Sequence, residues 1–225
     1  MKRVVVLVFL LLIPFTGQAQ EKTVAPKPIR PNIQIILKHS LESRISKESA
    51  MAMVKKATGT LNNALVLRNR VEPIDFTSYS VTIDDSPNAP YPVDPDVLGD
   101  SLPRNQNSIV VLITDQELDG GSIKVRGELV PANRTFGWSG RGWIIANYKS
   151  EEDDLSTLTS TITHEFGHIF GTGHVFFPDS VMCQSSGDPC DKRSLTFDAN
   201  SILRIELAIT IMHKIGFETY IGLHS

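Results

Sequence analysis

The sequence predicts an α/β (α+β) domain in which a small sheet is flanked by helices, and three observations carry that reading. Apolar residues recur at helical spacing in three separate stretches, residues 43–69, 153–170 and 198–215. The run Ser-Ile-Val-Val-Leu-Ile-Thr at 108–114 is apolar throughout its interior, the pattern of a central strand buried on both faces. The chain has 225 residues, 41% hydrophobic and 21% charged, which suits one domain or two small ones with a core that needs no staples. The predicted order is helix, strands, helix, irregular segment, helix.

The first residues stand apart from that domain. Lys2 and Arg3 form a positive start, residues 4–15 are an almost unbroken apolar run, and Gly17-Gln18-Ala19 supplies small residues at cleavage spacing. Residues 1–19 read as a secretory signal peptide cut after Ala19, which places the mature chain outside the cell or in a periplasm. A membrane anchor is the alternative, but the run is short for a bilayer and Pro14 breaks it. No membrane span is expected after signal removal, and no cysteine follows the run to carry a lipid. Loss of Lys2 and Arg3 takes the net charge from −3 to −5, with 20 basic residues left against 25 acidic ones. A nucleic-acid partner is not expected without a basic face. Residues 20–31, with Pro26, Pro28 and Pro31, read as a flexible leader, and residues 32–225 as the domain.

Within the domain, residues 43–69 read as a long helix on the spacing of Ile45, Ala50, Val54, Ala57, Leu61 and Leu65. Met51 and Met53 read as packing residues there. Residues 76–83 alternate with period two and read as a strand. Residues 84–103 are crowded with Asp and Pro and read as a long loop. Its acids Asp84, Asp85, Asp94, Asp96 and Asp100 are a candidate Ca2+ set, although a solvated loop is the plainer reading without EF-type spacing. Residues 121–127 read as a further short strand, 137–142 are rich in Gly and Ser, and 143–148 are strand-like. Ser150-Glu151-Glu152-Asp153 resembles a helix start, with a Ser N-cap and acids in the first turn. That helix runs through Leu155, Leu158, Ile162 and Phe166 and stops at Gly171; the last one, 198–215, stops before Gly216.

Cys183 and Cys190 are the only cysteines. In an exported chain they suggest one local disulfide that shapes a loop more than it stabilises the domain. A zinc site on these two thiolates is the alternative, but no second pair completes it. Asn133-Arg134-Thr135 is a glycosylation sequon, meaningful only in a eukaryotic secretory pathway. His39, His213 and His224 lie in no ligand pattern.

The informative segment is His164-Glu165-Phe166-Gly167-His168-Ile169-Phe170-Gly171-Thr172-Gly173-His174. His164 and His168, four apart on a helix, share one face and can meet one metal ion. Glu165 is rotated about 100° from the first of them, placed to reach a metal-bound water without ligating the metal. Gly171 allows a sharp exit at positive φ, which can return His174 to the same ion. Three neutral nitrogens leave an open tetrahedral position, the mark of a catalytic Zn2+. Zinc acidifies the bound water and polarises a carbonyl, and Glu165 serves as general base. Peptide-bond hydrolysis needs those services. A bare His-Glu-x-x-His is a weak signal; Gly171 and His174 at fixed offsets make it a strong one against three histidines without function.

These residues, with Ser180-Val181-Met182 eight positions beyond His174, resemble the metzincin clan of zinc endopeptidases. The short gap to Met182 is similar to the matrixin and archaemetzincin branches. The resemblance implies a twisted mixed sheet, an N-terminal helix, an active-site helix and a small C-terminal subdomain ending in a helix. It implies that Met182 forms an apolar floor beneath the ligands. It makes residues 143–148 the antiparallel edge strand above the cleft, with plain core structure as the alternative, and an extended peptide or protein substrate would add to that edge as a strand. Residues 184–195 would line a pocket whose wall a Cys183–Cys190 bridge would fix. The chain departs from both branches. Val175 stands where archaemetzincins carry a Cys, their later four-cysteine zinc set cannot be built, and no cysteine upstream of Cys183 supports a matrixin cysteine switch. No Tyr follows Met182 closely, as it would in astacin-like enzymes. The expectation is a secreted zinc-dependent endopeptidase, either of general action or confined to one partner as a processing enzyme or toxin. The alternative is a binding or inhibitory protein that retains zinc without turnover; a structural zinc, however, is normally closed by a fourth ligand and has no need of Glu165.

Overall fold

The computed structural model describes residues 28–66, 72–105, 107–119, 122–125, 128–131, 137–148, 154–183 and 194–223. The signal-peptide reading, most of the leader, the Ser150 cap, the Asn133 sequon, Cys190 and His224 lie outside them.

Among the described residues the expected α/β architecture is present, with a five-stranded sheet and five helices. The strands are β1 (Asn32–Lys38), β2 (Tyr79–Asp84), β3 (Ser108–Thr114), β6 (Gly137–Gly140) and β7 (Trp143–Asn147), in the order β2-β1-β3-β7-β6. β2, β1, β3 and β7 are parallel and β6 is antiparallel. The registers set Ile35 beside Val111 and Val111 beside Ile144 across the middle of the sheet. A separate antiparallel pair, β4 (Ser122–Val125) and β5 (Glu128–Pro131), follows β3. The helices are α1 (Lys47–Val66), α2 (Pro95–Ser101), α3 (Leu155–Ile169), α4 (Ala199–Ile215) and α5 (Phe217–Leu223).

Period-two geometry sorts the sheet residues between two layers. Ile33, Ile35 and Leu37 of β1, Ile109, Val111 and Ile113 of β3, and Ile144 and Ala146 of β7 face one large core. Val54, Ala57, Leu61 and Leu65 of α1 and Leu158, Ile162 and Phe166 of α3 complete it. The same core continues into Ile205, Ile209 and Met212 of α4 and Phe217 and Tyr220 of α5, so the C-terminal helices share it with the sheet. The opposite face is smaller: Ile36, Val110, Leu112, Trp143 and Ile145, with Leu98 and Leu102 packed on it from α2 and the residue that follows. Trp143 fits because Gly99 and Gly140 bracket its ring; a Cβ at either would stand 2.2 or 2.4 Å from it.

Several expectations need correction. Residues 143–148 are not the edge strand. β7 is buried along its whole length between β3 and β6, and the antiparallel edge is β6, inside the Gly- and Ser-rich 137–142 segment. No element was expected over residues 32–42, yet β1 lies second in the sheet. Its alternation stops at Ile36-Leu37 because both of its faces are covered. The order therefore begins with a strand. The 76–83 strand starts at Tyr79, since Ile74 and Phe76 enter the core before pairing begins. The 84–103 loop contains α2, capped by Asp94, whose side chain accepts from the Asp96 and Val97 amides. The last long helix does stop before Gly216, as expected, but a further helix, α5, follows it. Residues 28–31, expected in the leader, are already docked: Ile29 is buried, its carbonyl accepts from the Asp75 amide at 2.9 Å, and Arg30 pairs with Asp75 at 2.8 Å.

Candidate metal centre

α3 is built to end where it does. Asp154, not Ser150, is its N-cap, with its carboxylate accepting from the Thr157 amide at 2.6 Å. Thr159 and Thr163 return their hydroxyls to the carbonyls of Leu155 and Thr159, so two polar side chains sit in the buried half of the helix with partners. At the C-terminus Gly171 has φ +80°, the Gly171 amide donates to His168 O, and the Thr172 amide donates to Gly167 O. This is a Schellman closure, and the left-handed residue it requires falls on a glycine. The chain then turns back and delivers His174.

The three imidazoles converge. Nε2 of His168 lies 3.0 Å from Nε2 of His164 and 3.2 Å from that of His174, and the His164–His174 separation is 3.2 Å. Their far nitrogens explain why. Nδ1 of His164 is 2.7 Å from the Val181 carbonyl, and Nδ1 of His168 is 2.8 Å from the Thr172 carbonyl. A carbonyl only accepts, so each Nδ1 carries the proton and each Nε2 of the neutral ring presents a lone pair. Two lone pairs at 3.0 Å repel each other unless a cation lies between them. Imidazole nitrogens bound to zinc at ~2.0–2.1 Å in tetrahedral geometry stand about 3.3–3.4 Å apart, close to the spacing here. The donor set therefore fits a zinc ion. Among the described residues, this is the group of three whose ligand atoms approach one another in this way. Of the acids of 84–103, Asp84 pairs with Lys38 at 2.8 Å, Asp94 caps α2, and Asp100 accepts from Trp143 and Arg104.

Glu165 lies beside the triad and is only 5% exposed. Its Oε2 accepts from the Ser139 hydroxyl at 2.6 Å. Burial pushes its carboxyl above the usual carboxylate range, opposed by the neighbouring His168, by the Ser139 hydrogen bond and by His174. His174 is pushed the other way, to about 4, by burial of its ring first and then by the His168 and His164 rings.

Met182 is fully buried with its sulfur against α3: a Cβ on Gly167 would lie 2.3 Å from Sδ. Gly167 is thus a glycine for closeness. The turn carrying Met182 is tied to α4. Ser180 donates to Asp198 Oδ2 at 2.8 Å and accepts from the Met182 amide at 3.1 Å, while Asp198 caps α4 through the Asn200 and Ser201 amides. Val181, in the same turn, provides the carbonyl that orients His164. The expected pocket wall over residues 184–195 and the Cys183–Cys190 bridge fall largely outside the described residues. Sequence reasoning missed Ser139 and the roles of Ser180 and Asp198. The only local sign was the small-residue composition of 137–142 and a helix-capping Asp.

No family model matches the sequence, and no curated protein matches it. Solved structures do. The fold is similar to that of archaemetzincin from Methanopyrus kandleri, at 16% identity and TM-score 0.56, over 83% of this chain and 99% of that one. It is also similar to metalloproteinase-II from Bacteroides fragilis, at 14% identity and TM-score 0.52, over 83% of this chain. The match spans 55% of that second protein. These likenesses establish an archaemetzincin-like fold.

Proposed function

We propose that this chain is a zinc-dependent endopeptidase, with His164, His168 and His174 as metal ligands and Glu165 as general base. One observation carries the reading: three Nε2 atoms within 3.0–3.2 Å of one another, two of them with fixed tautomers, beside a buried carboxyl. The fold shared with an archaemetzincin and a metalloproteinase supports it. A bound zinc would acidify a water and polarise the scissile carbonyl. The protein's own part is to hold two imidazoles by their Nδ1 protons, to exclude bulk water from Glu165, and to take a proton at that carboxylate and pass it to the leaving amine. β6 ends the sheet beside Glu165, which favours an extended peptide or protein substrate added as a further strand. The Lys2-Arg3 start and the apolar 4–15 run favour secretion or periplasmic export, with a catalytic domain that includes the docked residues 28–31 and with Cys183 bridged to Cys190.

The test is cleavage of a diverse peptide library by the mature chain, by a chelated sample and by Glu165→Gln, with zinc measured in each. We expect Glu165→Gln to keep one zinc and to lose about 10²- to 10⁴-fold in kcat, the range of a lost general base. Full turnover in that variant rejects the mechanism. A wild-type chain that binds zinc and cleaves nothing is a binding protein instead.

A further inference from the structure

The edge strand approaches the Glu165 carboxylate at two points, and the two differ in kind. Ser139 donates its hydroxyl to Oε2 at 2.6 Å. Gly137, two residues earlier and so on the same face of β6, has no side chain where one would collide. A Cβ there would stand 2.7 Å from Oε1 and 2.9 Å from Cγ of Glu165, and 2.6 Å from Cγ2 of Thr161. Its φ is not left-handed, so conformational freedom does not explain this glycine. The two carboxylate oxygens are thereby distinguished: one is held by a hydroxyl, the other is left unobstructed by a missing methyl. The carboxylate is nearly enclosed, and a buried acid gripped on one oxygen keeps a single orientation.

We propose that Ser139 is a positioning residue for Glu165, that Gly137 keeps the second oxygen clear, and that the edge strand thereby selects Oε1 as the atom that exchanges protons with the reacting groups. The inference rests on Glu165 being the general base. It assigns β6 a task beyond pairing with substrate: it orients the base from the edge of the sheet. Nothing in the sequence around Glu165 specifies this, because Ser139 is 26 positions away.

The experiment compares wild type, Ser139→Ala, Ser139→Thr, Gly137→Ala and Glu165→Gln as full mature chains. Zinc content, kcat and KM on one cleaved peptide are measured, together with crystal structures of the zinc-free wild type and Ser139→Ala. Ser139→Ala should keep one zinc and an unchanged KM while kcat falls about tenfold to hundredfold, the cost of a misplaced reacting group. Ser139→Thr, which restores the hydroxyl, should recover most of that loss. In the zinc-free Ser139→Ala crystal the Glu165 carboxylate should be turned or split between orientations, a readout independent of turnover. Gly137→Ala should lose kcat while retaining zinc. A Ser139→Ala enzyme with wild-type kcat, or one whose loss Thr does not repair and whose carboxylate is unmoved, overturns the inference and leaves the base in place, provided Glu165→Gln is inactive. If Glu165→Gln is fully active, the base assignment and the inference fall together. Should Ser139→Ala fail to fold, Ser139→Thr and Gly137→Ala decide: wild-type kcat in Gly137→Ala, or a collapse of activity in Ser139→Thr, also overturns it.

Discussion

His174 is the exposed member of the triad, yet its Nε2 points inward to within 3.2 Å of both partners. Loss of water and two neighbouring rings hold its pKa at about 4 against an ordinary 6.5. The sign for stability follows from linkage. Below pH 6.5 the unfolded chain takes up a proton on this residue while the folded chain refuses it until about pH 4. The metal-free protein should therefore lose stability on acidification between about 6.5 and 4, and this contribution should level off below that. Urea midpoints of chelated protein across this range would show it, and His174→Gln should flatten the dependence. A wild-type profile that is flat or rises toward acid would contradict it. At this scale the convergence of His164, His168 and His174 was legible, since they fall within eleven residues and the helix spacing with the Gly171 turn brings them together. Ser139 was not legible, because its partner is supplied by a different element.

The helices owe their limits to single side chains, and α4 shows what one such residue does. Asp198 accepts from the Asn200 and Ser201 amides, from the Ser201 hydroxyl and from Ser180. Burial acts to raise its carboxyl, but the hydrogen bonds from Ser201 and Ser180 outweigh this and hold it low. Asp198→Ala removes both the cap and the tie to the Met182 turn. The chelated protein should lose about 1–2 kcal/mol, a fall of roughly 2–8 °C in Tm. Asp198→Asn, which can still cap, should lose less. A calorimetric scan in which alanine costs nothing would remove Asp198 from this role. Helix ends were well marked in the sequence where glycine stops them, at Gly171 and Gly216, both at positive φ. Starts were marked less well: the sequence pointed to Ser150 as the N-cap of α3, and the cap is Asp154, whose carboxylate meets the Thr157 amide.

Across the whole molecule one core joins α1, the sheet, α3 and the C-terminal helices. Leu61 lies fully buried within it, on the helix that packs against α3. Leu61→Ala should cost about 2–5 kcal/mol by chemical denaturation, as a core cavity does, while the folded variant still binds one zinc. An unfolding free energy within about 0.5 kcal/mol of wild type would mean that the site relaxes around the loss. The sequence alone was enough to determine the α/β class, the central strand at Ser108–Thr114, the long helices, the glycine that ends α3, and the His-Glu-x-x-His segment with its third histidine. Each of these rests on periodicity or spacing within a single element, where side-chain direction follows from local backbone geometry. Only the tertiary structure decided that β1 lies second in the sheet, that β6 rather than β7 forms the edge, that Met182 packs on Gly167, and that Ser139 grips Glu165. Those depend on which distant segments pair. Pairing is chosen by the burial of both faces of a parallel sheet at once, and no short stretch of chain records it.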